Sequence, residues 1–177
     1  MKKIILSFFL LSVSFIISAQ ENETTIDSTK HELKLNLGMA VAGIPELTYE
    51  YFLEDNSSIG FAVGIGLDEA EDLALRFIAT PYYRLFFGKK QNAGFFIEAN
   101  AALASYRDVY LDYSYTGYPK MHDEKNTNFG LGAAVGFKLL TRNNYVGEIY
   151  AGAGRLFGDS NDYEVYPRLG VSIGKRF

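Results

Sequence analysis

Glu164-Val-Tyr-Pro-Arg-Leu-Gly-Val-Ser-Ile-Gly-Lys-Arg-Phe177 places Val165, Pro167, Leu169, Val171, Ile173 and Phe177 on alternate positions. Between them fall Tyr166, Arg168, Gly170, Ser172, Gly174 and Arg176. Strict period-two alternation predicts a strand with one apolar face and one polar or small face, running to the last residue.

The same alternation recurs upstream, and turn-like clusters separate each run from the next. The first run sets Leu33, Leu35, Leu37, Met39 and Val41 against Lys34, Asn36, Gly38, Ala40 and Ala42, which predicts one strand through to Val41. After Gly43-Ile-Pro45 come Leu47, Tyr49, Tyr51 and Leu53, then a turn at residues 55–58. Ile59, Phe61, Val63, Ile65 and Leu67 follow, opposed by Gly60, Ala62, Gly64 and Gly66. Further strands are expected at 73–87, 95–111, 129–139 and 145–157, with a long polar and aromatic loop over 112–128. About eight antiparallel strands result, an even number that lets the first and last pair and so removes the sheet edges. Their lengths reach the roughly 9 to 11 residues that a tilted strand needs to cross a bilayer. The expected fold is therefore all-β, an eight-stranded antiparallel transmembrane up-and-down β-barrel.

At the start of the chain, Lys2 and Lys3 precede an uncharged apolar run from Ile4 to Ile17, and Ser18-Ala19 then meets Gln20 and a polar stretch. That layout is a secretory signal peptide, and the run is shorter than the roughly 20 residues of a spanning helix. The expected organisation is a signal peptide over 1–19, a flexible leader over 20–31 and the barrel over 32–177. Removing Lys2 and Lys3 reduces 17 basic residues to 15 against 21 acidic ones, a mildly acidic balance that excludes a general nucleic-acid binder. With no cysteine there is neither a disulfide nor a lipoprotein anchor.

The polar face is more specific, because it carries Lys34, Glu50, Arg76, Arg84, Glu98, Lys138, Glu148 and Arg168 among many glycines and alanines. Charges on one face of successive strands point into a common interior. In a small barrel that interior is just wide enough for side chains, so acids and bases there are expected to pair and plug it, the alternative being a gated pore or a ligand site. A soluble lipocalin-like barrel binding an apolar ligand is the rival architecture, and it needs the opposite polarity, with charges outside.

The closing strand resembles that of bacterial outer-membrane barrels, whose final aromatic residue, here Phe177, is part of the signal read by the barrel-assembly machinery. Lys175 departs from the aromatic or apolar residue usual two positions before the end. The pattern over 32–177 is similar to small eight-stranded OmpA/OmpX-like barrels of a Bacteroidota outer-membrane type, and the Ser-Ala-Gln junction looks like those common in that group. The resemblance implies a Gram-negative outer membrane with lipopolysaccharide as a partner, and a membrane-stabilising, adhesion or defence role. A few similar barrels modify lipids enzymatically, which keeps a lipid-modifying enzyme as an alternative. Of the two histidines, His31 lies in the leader and His122 in the long loop beside Asp123 and Glu124, where a solvated side chain is expected, and they lack the pair spacing of a zinc site. Gly130-Leu-Gly132 and Gly152-Ala-Gly154 lie inside strands, so they are not dinucleotide motifs. No catalytic residue, metal site or cofactor is expected.

A candidate surface contact remains at the outer end of the fifth strand and its loop, with Tyr106, Tyr110, Tyr113, Tyr115 and Tyr118. Tyrosines make large contacts at low entropy cost, although they also form the girdles of such barrels. Asp68, Glu69, Glu71 and Asp72 form an acidic loop that is either solvated or shares divalent cations with lipopolysaccharide.

Overall fold

The computed structural model describes residues 29–67, 75–112, 120–157 and 165–177, and only the backbone over 107–112 and 120–125. Residues 1–28, the acidic loop, and Tyr113, Tyr115 and Tyr118 lie outside the described residues.

Eight strands run in chain order around one closed barrel. They are β1 (His31–Asn36), β2 (Glu46–Glu54), β3 (Ser57–Ile65) and β4 (Leu75–Phe86), then β5 (Gly94–Asp112), β6 (Lys120–Leu140), β7 (Tyr145–Phe157) and β8 (Val165–Arg176). Every pairing is antiparallel, and β1 pairs with β8 from Glu32 opposite Arg176 to Asn36 opposite Ser172. Short turns and the start of β1 lie at one end of the barrel, here the turn end, and the longer connections lie at the other, the loop end.

Alternation decides which way each side chain points. Leu47, Ile59, Phe61, Ile97, Leu131, Val135, Ile149, Leu169 and Val171 are exposed on the outside, while Glu50, Ala62, Arg84, Glu98, Lys138 and Glu148 are buried inside. This is the reverse of a water-soluble barrel, in which the apolar face lines the interior. Interior glycines make room for rings. A Cβ on Gly60 would lie 2.1 Å from Tyr82 Cζ, one on Gly170 would lie 2.3 Å from Tyr150 Cζ, and one on Gly154 would lie 2.2 Å from Tyr166 Cζ. The glycine-rich inner face is therefore the bed on which inward aromatic rings lie.

Two expectations need correction. The first strand stops at Asn36, and Leu37–Val41 forms a short helix, α1. Asn36 Oδ1 accepts a hydrogen bond from the Met39 N–H, a helix N-cap. At the other end Gly43 adopts φ 85°, and the Gly43 and Ile44 amides donate to Ala40 O and Met39 O. That is a Schellman stop, and Pro45 follows it as a further block. The sequence from Asn36 to Pro45 is thus bounded as a helix, although its apolar spacing also fits a strand.

The second correction concerns residues 112–128, most of which are strand rather than loop. β6 begins at Lys120, and the β5–β6 pairing continues to Asp112 opposite Lys120. β4 ends at Leu75 opposite Tyr106, and the β6–β7 pairing ends at Phe129 opposite Phe157. Beyond those points β5 and β6 pair only with each other among the described residues, so a two-stranded ribbon rises roughly 20 Å above the barrel rim at strand rise.

Candidate functional site

The interior holds five buried glutamates, Glu32, Glu46, Glu50, Glu98 and Glu148, and five buried cations, Lys34, Arg84, Lys138, Arg168 and Arg176. Among the described residues the buried formal charge therefore balances. Register creates several of the pairs directly, because Arg84 stands opposite Glu98, Lys138 opposite Glu148 and Glu32 opposite Arg176. Such opposite pairs are the basic unit of cross-strand stabilisation.

Glu50 is the hub. Its Oε2 accepts from Lys34 Nζ, from Lys138 Nζ at 2.9 Å, from Tyr82 OH at 3.1 Å and from Arg84 Nη1 at 3.2 Å. Its Oε1 accepts from Ser58 Oγ at 2.6 Å. Glu148 Oε2 takes Lys34 Nζ at 2.9 Å and Arg84 Nη1 at 2.8 Å, so the two carboxylates share the same cations. Glu32 Oε1 accepts from Lys138 Nζ at 2.8 Å, and its Oε2 accepts from Arg176 Nε at 3.2 Å. Glu32, Glu50 and Glu148 bring carboxylate oxygens within 4.8 Å of one another, a spacing that could suit a metal ion. Two lysine ammoniums already bond to these carboxylates, so the positive charge a metal would bring is supplied by the chain.

Closer to the loop end a second layer continues the network. Glu98 Oε2 accepts from Arg84 Nε at 2.7 Å, and its Oε1 accepts from Arg168 Nε at 2.9 Å and Asn100 Nδ2 at 3.0 Å. Arg168 Nη1 donates to Glu46 Oε2 at 3.0 Å, and Tyr150 OH donates to Glu46 Oε1 at 2.9 Å. Guanidiniums also stack on rings: Arg84 Cζ lies 4.2 Å from the Phe96 centroid, and Arg176 Cζ lies 4.1 Å from that of Phe52. Rings and ion pairs together occupy the space that an open channel would need.

At the turn end, residues 87–93 are tied across the mouth of the barrel. Arg176 on β8 donates through Nη2 to Asn92 O at 2.8 Å and through Nη1 to Gln91 O at 3.2 Å. Asn92, at φ 50°, donates through its backbone N–H to Asp55 O and through its side chain to Glu54 O, each at 2.8 Å. Lys90 Nζ reaches Leu140 O at 3.3 Å. One turn is thereby bonded to β8, to the β2–β3 turn and to the end of β6.

Of the charged residues expected in the lumen, Lys34, Glu50, Arg84, Glu98, Lys138, Glu148 and Arg168 come together in these two layers. Arg76 does not join them. It is half-buried at the loop end, where β4 and β5 slip register between Leu75 and Phe77. Eight residues of strand, about 26 Å, separate it from Arg84. Tyr106 is also corrected as a surface contact: it is buried with Ile78, Ala102, Ala104, Leu156 and Tyr166, because it shares the inward parity of Ala102 and Ala104. Tyr110 stands opposite His122 in the ribbon. Glu32, Glu46, Arg176, Asn36, Tyr82 and Tyr150 are network members that the charge pattern did not single out, although all have the inward parity of their strands. His31 lies in β1 rather than in the leader. It pairs with Phe177 through reciprocal backbone hydrogen bonds, and its ring stacks on that of Phe177 with centroids 6.0 Å apart.

The fold is similar to the crystal structure of the N-terminal beta-barrel domain of Pseudomonas aeruginosa OprF, with a TM-score of 0.50 and 16% sequence identity. The match covers 84% of this chain and 98% of that one. No curated protein matches the sequence. A family profile does, over residues 5–175, and the chain belongs to the family described as "Protein of unknown function (DUF3575)".

Proposed function

We propose that this protein is a bacterial outer-membrane barrel with a sealed lumen, which stabilises the membrane and displays the β5–β6 ribbon for surface interaction. The observation that carries the reading is the inverted polarity: bulky apolar side chains stand exposed around the outside, and balanced charges are buried inside. An exposed apolar surface of that extent needs lipid to cover it. The lipocalin-like alternative would need the opposite arrangement. Catalysis is not part of the proposal, because each buried glutamate is already bonded to a cation.

On this reading residues 1–19 direct export from the cytoplasm of a Gram-negative cell of the Bacteroidota type, and Phe177 contributes to recognition by the barrel-assembly machinery. The outer leaflet, with its lipopolysaccharide, surrounds the loop end. The ribbon is the part of the described barrel with neither lipid nor lumen to face, and loops on rigid scaffolds are where binding usually resides. Replacing residues 108–123 by a short Gly-Ser turn tests the assignment. The expected result is an intact heat-modifiable barrel with lost adherence of whole cells to a surface or a host matrix. Unchanged adherence, with unchanged detergent resistance of the cells, would remove the ribbon from the function.

A further inference from the structure

The barrel wall is complete on seven sides and half complete on the eighth. β1 has six residues, so its ladder with β8 stops at Asn36 opposite Ser172. From Val165 to Val171, β8 keeps β7 as a neighbour but has no strand on its other side among the described residues. The odd residues of β8 point their backbone groups toward the gap, as shown by the reciprocal bonds of Phe177 with His31. Pro167 occupies one of these positions, where the missing N–H costs nothing. α1 lies over the gap and is latched there by one side chain: Asn36 accepts from Val171 N–H at 3.2 Å and donates to Leu169 O at 3.1 Å.

Behind this latch lies a cavity of about 200 Å³. Met39 and Ile44 from the α1 connection, Ile78 and Thr80 from β4, and Tyr166 and Arg168 from β8 line it. Its walls are mostly apolar, and Arg168 brings a guanidinium that is 3% exposed and whose Nη2 has no hydrogen-bond partner among the described residues. Buried donors without partners are rare and call for an acceptor. Arg168 already contacts Glu46 and Glu98, and the buried charge of the described residues balances, so a further anion would be in excess. A neutral oxygen suits the place better. For size, a cavity of about 150 Å³ holds benzene.

We propose that this cavity binds a small neutral amphiphile, a single ring or short chain bearing one carbonyl or hydroxyl oxygen that accepts from Arg168. The ligand reaches the cavity from the bilayer, between α1 and the unladdered half of β8. This assignment rests on the membrane reading above, since only then does the gap face a medium in which such a molecule is concentrated.

Gly38 offers a reversible test. A Cβ built there lies 3.9 Å from Val171 Cβ, within the roughly 3.5 to 4.5 Å that a disulfide requires, and the chain has no other cysteine. The full-length Gly38→Cys/Val171→Cys protein in nanodiscs is irradiated with acetophenone, a photoreactive aryl ketone, and the labelled residues are mapped by mass spectrometry. Labelling of Met39 or Ile78 peptides is expected in wild type and in the reduced double variant, with at least a several-fold loss on oxidation that reductant reverses. Cyclohexyl methyl ketone should compete about fivefold better than ethylbenzene, the worth of one hydrogen bond. Ile78→Trp, which fills the cavity, should lose the label while keeping heat-modifiable mobility. Label confined to lipid-facing residues, or equal labelling in oxidised and reduced protein, would overturn the proposal. Recovery of the wild-type chain as a soluble protein would instead refute the membrane reading beneath it.

Discussion

Glu50→Gln isolates the charge of the hub without changing its shape. The carboxylate accepts from Lys34, Lys138, Arg84, Tyr82 and Ser58, and all of its side chain is buried. A glutamine keeps one oxygen but turns an NH₂ toward ammonium and guanidinium donors, and it leaves the lumen one positive charge in excess. Breaking a buried ion pair in this way costs about 3–5 kcal/mol, a large part of the roughly 5–15 kcal/mol that holds a typical domain folded. The second variant is Lys138→Met. Its Nζ lies 4.8 Å from the Phe86 ring centroid and 5.3 Å from that of Phe52, so a thioether has an aromatic bed ready. The double variant restores neutrality and should recover at least about 1–2 kcal/mol of the loss, a coupling that a double-mutant cycle measures directly. With no tryptophan in the chain, far-UV circular dichroism and gel mobility during urea unfolding in detergent are the natural readouts. A single variant within about 1 kcal/mol of wild type, or a double variant no better than the single, would refute the pairing argument.

Other substitutions test other parts of the barrel. Gly154→Val should prevent folding into the compact form, because its Cβ would lie 2.2 Å from the Tyr166 ring; Gly147→Ala, with nothing within 4 Å, should be neutral in the same gel assay. Asn36→Ala removes the α1 cap and strands the Val171 N–H and the Leu169 carbonyl, so a loss of about 2 kcal/mol or more is expected in urea unfolding. Wild-type protein in planar bilayers should show no large, steady single-channel conductance, because ion pairs and rings fill the lumen. Steady porin-like conductance would mean that the layers around Glu50 and Glu98 part.

Much of this architecture is legible from alternation alone, because period two leaves no freedom once one face must point outward and the other into the lumen. That logic assigns Glu50, Arg84, Glu98, Lys138, Glu148 and Arg168 to the inside. It works for Tyr106 as well, whose parity matches Ala102 and Ala104; its aromatic character suggests the surface, and the parity of its strand overrides that. Arg76 shows the opposite limit. Its parity is inward, but it lies eight residues along β4 from Arg84, at the register slip that ends the strand, and parity alone carries no information about that height. α1 was hidden because Leu37, Met39 and Val41 fit a strand as well as one helical turn. The signals that decide it are local, an Asn able to cap at 36 and a Gly-Ile-Pro stop at 43–45. The ribbon was hidden for a different reason. Residues 120–128 are nearly all polar in sequence, so they lack the apolar alternation that announces a strand.

The most direct measurement of the central claim is electrophoresis of the wild-type protein from the cell membrane fraction, with and without boiling. A closed barrel with lipid outside and a neutralised ion network inside predicts recovery in the outer-membrane fraction and a mobility shift on boiling. Recovery in the soluble fraction, or a single mobility before and after boiling, would contradict it.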